Sequence, residues 1–89
     1  FGSCADPTIV FGPTSDGRQE DAFEPSDIAT FPQGSALNID IISNFICDQL
    51  VNACEADEAA LATCETAAAA ASGLEAQEAA DAFNAALGF

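Results

Sequence analysis

The chain has no His, Lys, Tyr, Trp or Met, and its single base is Arg18. Each absence removes a class of chemistry. Without His there is no Ser–His or Cys–His nucleophile, no imidazole acid or base, and no His ligand for zinc. Without Lys there is no Schiff base and no lysine-bearing phosphate loop. One Arg cannot make the basic stripe that follows a nucleic-acid backbone or an anionic membrane. No window approaches the ~18 apolar residues of a membrane span. The glycosylation pattern N-x-S/T is missing as well.

Bulky apolar mass is also scarce. Hydrophobic residues make up 49% of the 89 residues, but many are Ala, and the large groups are seven Phe with a modest set of Ile, Leu and Val. A chain of this length makes one domain, 1–89, and buries only roughly 60–65% of its unfolded surface, so its core alone is marginal. Four Cys offer covalent help. Paired Cys in a short chain point to an oxidising destination outside the cell. The first residue is Phe1, with no initiator Met and no charged-then-apolar leader, which fits a mature form whose signal peptide has been removed.

The composition changes near residue 35. Residues 1–35 hold all four Pro and four of the six Gly, whereas 36–89 hold no Pro and most of the Ala. The first part is expected to be extended and looped, packing on a helical second part. Two short β-like runs are Thr8–Phe11 and Ile28–Phe31. Helix one is expected over Ala36–Ala53 with Ser35 as N-cap and an inward face of Ile39, Ile42, Ile46, Leu50, Ala53 and Cys54. Ile41 and Phe45 lie off that face, which predicts that the N-terminal segment covers them. The alternation of Leu37, Ile39 and Ile41 with Asn38 and Asp40 also fits a strand, which would delay the helix to Ile42.

Helix two is expected over Asp57–Ala71, stopped by Ser72-Gly73, with an inward stripe of Ala60, Leu61, Cys64, Ala67, Ala68 and Ala71. Helix three is expected over Glu75–Leu87, with Ala76, Ala79, Ala80, Phe83 and Leu87 inward and Gly88 ending it. The Ala67–Ala71 run needs no explanation beyond helix propensity.

Spacing constrains the cysteines. Cys47 and Cys54 stand two turns apart on one helix, about 10.5 Å along its axis, whereas a disulfide needs Cα atoms within about 7 Å. An antiparallel hairpin turning near residues 55–56 sets Cys47 opposite Cys64, leaving Cys4 for Cys54. In the loop-entropy account each bridge contributes roughly 3–4 kcal/mol, comparable with the whole net stability of a small domain. A zinc reading fails because the spacings contain no C-x₂₋₄-C knuckle.

The densest acidic segment runs from Asp16 to Asp27, and Asp16, Glu20, Asp21, Glu24 and Asp27 are its candidate calcium ligands. Laid on the EF-hand loop it fails: Arg18 takes the third ligand position, Asp21 the obligatory Gly, and Asp27 the bidentate Glu. Arg18 is expected to form a structural ion pair with Glu20, Asp21 or Glu24, or to fix this loop onto a helix carboxylate. Asp40, Asn44, Asp48 and Asn52 form a polar stripe at i, i+4 spacing and are candidate contacts for a hydroxyl-bearing ligand such as a sugar. A carboxylate pair for glycoside hydrolysis needs a cleft that so small a core rarely builds, so no catalytic residue and no cofactor are assigned.

The segments FGPTSDGRQEDAFEP and GSALNIDIISNFICDQLVNAC resemble small secreted proteins of filamentous fungi, in which a GR-x-E-x-AF-x-P stretch precedes an Ile-rich, Cys-containing helix and an Ala-rich tail. The likeness covers about residues 8–64. It implies a fungal origin, secretion, and a role at the cell wall or host interface, and brings no catalytic residues with it. The expected fold is mainly α: a disulfide-stapled helical hairpin plus a third helix, with an extended N-terminal segment carrying at most two short strands. The expected function is that of a secreted, non-catalytic interaction protein, effector-like or wall-associated. Its net charge of −14 favours a basic protein surface or cationic polysaccharide and disfavours nucleic acid and anionic lipid. The alternatives are a carrier of a fatty acid or sterol between Ala-lined helices and a calcium-binding module. Oligomeric state is open.

Overall fold

A computed structural model describes residues 2–14, 17 and 19–89. In chain order it holds β1 (Ile9–Gly12), β2 (Ala22–Pro25), α1 (Ile39–Asn52), α2 (Glu58–Ala71) and α3 (Ala76–Leu87). The three helices follow one another as two tight hairpins, and the antiparallel β1–β2 ribbon lies across them, β1 over α3 and β2 over α1. The architecture is mainly helical with short N-terminal strands, as the composition break near residue 35 predicts.

Both disulfides form as the hairpin geometry requires: Cys47–Cys64 with Cα atoms 5.6 Å apart, and Cys4–Cys54 with Cα atoms 5.3 Å apart. The first staples α1 to α2. The second ties the N-terminal segment to the end of α1, where the Ser3 N–H also donates to the Cys54 carbonyl at 2.7 Å. Gly2 sits beside this junction at φ 62°, and a Cβ there would collide with the Cys54 carbonyl and the Ala56 backbone, so only glycine fits.

The second strand is not where the apolar run Ile28–Phe31 suggests. That run is a turn: the Asp27 side chain accepts from the Thr30 N–H and the Asp27 carbonyl from the Phe31 N–H, which drops Phe31 fully into the core. Strand β2 forms instead over Ala22–Pro25, all buried, because Phe23 opposes Phe11, with ring centroids 4.9 Å apart. Pro25 is tolerated because the Ser26 N–H bonds the Thr8 carbonyl, which puts Pro25 opposite Ile9 at a position where the ladder needs no N–H.

Helix α1 starts later than Ala36 and is capped by Asn38, not Ser35. The Asn38 side chain accepts from the Asp40 N–H at 2.9 Å. Ala36 is drawn away from the helix by a two-bond bridge to Phe23, with N–O distances of 2.9 and 3.0 Å. The strand-like alternation around Leu37–Ile41 therefore reports an extended lead-in, and the helix begins within it at Ile39. Ala53 becomes an exposed C-cap. The N-terminal segment does not cover the second apolar side of α1: Ile41 is 50% exposed and Phe45 only partly buried, because the ribbon is held over α3 and the start of α1 instead.

Helices α2 and α3 match expectation within a residue. Asp57 caps α2 by accepting from the Ala60 N–H, and Gly88 ends α3 in the left-handed region at φ 100°. Ala76 opens α3 at φ 54° and is exposed, so it drops out of the inward stripe. Ala67, Ala71, Ala79 and Ala80 are fully buried and let α2 and α3 pack at close range. Bulk comes from Phe31, Phe83, Ile9, Ile42, Ile46 and Leu50.

One contact closes the fold and carries no sequence signal. The Asn84 side chain pairs with Ile9 as a strand would: Oδ1 accepts from the Ile9 N–H and Nδ2 donates to the Ile9 carbonyl, both at 2.8 Å. Asn84→Ala leaves both groups of buried Ile9 unpaired and is expected to cost about 1–3 kcal/mol in urea unfolding. Replacing Cys47 and Cys64 together by Ala is expected to cost about 3 kcal/mol, and Cys4 with Cys54 about 4 kcal/mol because that loop is longer. The midpoints of the same urea titrations check both.

Candidate functional site

All four residues of the polar stripe lie on α1. Asn44 and Asp48 are exposed and face Glu65 of α2 across a shallow groove of about 470 Å³, floored by Leu61 and the buried Cys47. Asn52 ends the helix, exposed and away from that groove. Asp40 lies at the opposite end of α1, where its carboxylate accepts from the Ser72 hydroxyl at 3.3 Å. Asn44 and Asp48 thus line one groove and Asp40 another.

Among the described residues, the acids of the 16–27 segment do not gather at one point. Asp16 and Arg18 lie outside the described residues, as does any ion pair that Arg18 makes. Glu20 and Asp21 are exposed, Glu24 is buried within β2, and Asp27 is engaged in capping its turn. Among the described residues, no three Cys, Asp or Glu side chains stand close enough to hold a metal ion. The melting temperature is accordingly expected to be the same in millimolar Ca²⁺ and in chelator. A calcium-dependent rise in a thermal-shift assay would support the calcium module instead, since a ligand that binds only the folded state raises its stability.

The larger feature is a cleft of about 660 Å³ that sequence reasoning missed. It opens where the β ribbon, the start of α1 and the α2–α3 turn meet. Phe11, Phe23, Ile39 and Leu74 supply apolar walls, and Leu37 stands at the mouth with 60% of its surface exposed. Asp21, Asp40 and Glu75 supply carboxylates from three different parts of the chain. The only local signals were the strand-like phase at Leu37–Ile39 and the Leu that follows the Ser72-Gly73 stop; nothing in the sequence joins them to Phe11 and Phe23.

Ala67 and Ala71 of α2 and Ala79 and Ala80 of α3 are fully buried. No described helix is long and apolar enough to cross a membrane. No protein-family model, curated protein or solved structure matches the chain.

Proposed function

We propose that this chain is a secreted, non-catalytic interaction protein that recruits a cationic partner through its acidic surface, at a cell wall or host interface. The observation that carries the reading is the charge: fifteen acids against one base on an 89-residue chain. Acids also occupy the first turns of all three helices as Asp40, Glu58 and Glu78, while no base stands in any last turn. A field of one sign attracts cationic surfaces over a Debye length and repels nucleic acid and anionic lipid. Two disulfides suit an oxidising compartment. The likeness to small secreted fungal proteins supports the same setting.

Binding to immobilised chitosan or to polylysine is expected at about 0.02 M salt and to weaken at least about tenfold by about 0.3 M. Biolayer interferometry across that range measures it. Affinity that does not change with salt would reject electrostatic recruitment.

A further inference from the structure

The cleft between the ribbon and the α2–α3 turn combines two properties that diffuse acidity does not explain. Its walls are greasy, with Leu37 left 60% exposed at the mouth although the molecule is short of bulky apolar side chains. Its lining also carries three carboxylates, Asp21, Asp40 and Glu75. The N-termini of α1 and α3 both open here. Each brings at most about half a positive charge, and Asn38 already satisfies one N–H of α1, so three carboxylates outweigh them.

We propose that this cleft docks a basic peptide segment of a partner protein, one in which an Arg or Lys adjoins a large apolar side chain. The inference rests on the acidic surface being an interaction surface and adds where the contact is made and with what. A long cationic side chain can lay its aliphatic stem along Leu37 and Leu74 and present its head to Asp21, Asp40 and Glu75. The neighbouring apolar side chain enters between Phe11 and Ile39. At about 660 Å³ the space is within the range of pockets that admit a few side chains. A cationic polysaccharide matches the rim but not the walls, because its sugar edges carry hydroxyls that Leu37, Ile39 and Leu74 cannot pair.

The test uses two fluorescent peptides of equal charge on the oxidised protein, one alternating Arg with Leu and one with Ser in place of every Leu. Anisotropy titrations are expected to show the Leu peptide binding at least about tenfold tighter, the scale of burying one such side chain. Combining Asp21→Asn, Glu75→Gln and Leu37→Ser is expected to remove that advantage. Asp48→Asn with Glu65→Gln, in the other groove, is expected to change it less than about twofold. All three substitutions in the first set are at exposed positions, and thermal melts confirm folding. Equal affinity for the two peptides overturns the cleft proposal even if binding is salt-sensitive, and so does equal loss from both variant sets. A chitosan oligomer that outcompetes the Leu peptide at the cleft overturns it too. Salt-sensitive binding in any of these cases leaves the acidic-surface reading standing; no binding of either peptide or of chitosan at low salt removes both.

Discussion

The structure depends on crosslinks doing what side-chain bulk cannot. The α2–α3 contact is built from Ala67, Ala71, Ala79 and Ala80, which allow close approach but bury little area each. The larger groups cluster around Phe31, Phe83 and the isoleucines of α1, on the side that meets the ribbon. Cys47–Cys64 therefore anchors the thin side of the helical layer to the thick side. Cys4–Cys54 does the same for the N-terminal segment, which Ser3 and Gly2 help to seat at the end of α1. With both in place, the unfolded chain loses most of the freedom that a weak core could not overcome.

The ribbon is held by borrowed partners. Two short strands alone are marginal in water, and here each outer edge is closed by something other than a strand. Asn84 bonds both backbone groups of Ile9, and Ala36 bonds both of Phe23. These contacts fix the ribbon over α3 and the start of α1, and that placement creates the cleft. The same placement leaves Ile41 uncovered on the far side of α1. Site and exposed surface are thus two results of one docking geometry.

Helices and crosslinks were readable in the sequence because their signals are local and periodic. Asp57, Gly73 and Gly88 bound α2 and α3, and the rise of a helix alone excluded Cys47–Cys54. Strand β2 was not readable: Ile28–Phe31 has the β-rich composition, yet Asp27 turns that run, while Ala22–Pro25 extends only because Phe11 is waiting opposite. The start of α1 failed for a similar reason, since Ala36 is a good helix former overruled by its bridge to Phe23. The cleft was invisible for the strongest reason. Its walls come from four stretches of chain with no shared motif, and Asp40, placed by sequence on a stripe with Asn44, lines this cleft while Asn44 lines the other groove.

The long reach of Cys4 also bears on how the molecule is made. During synthesis Cys47 emerges before Cys54, so of these four thiols the first available mate for Cys4 is the wrong one. Such a mispairing is corrected by thiolate exchange: the Cys54 thiolate attacks the Cys4 sulfur, forms the native bond and releases Cys47 as a thiolate for Cys64. The Asn84–Ile9 clasp spans 75 positions and locks the ribbon down only after nearly the whole chain exists. Pairing Cys4 with Cys54 therefore favours surroundings in which thiols can exchange, whereas in a reducing compartment the four thiols would stay open and the thin core would lose both staples.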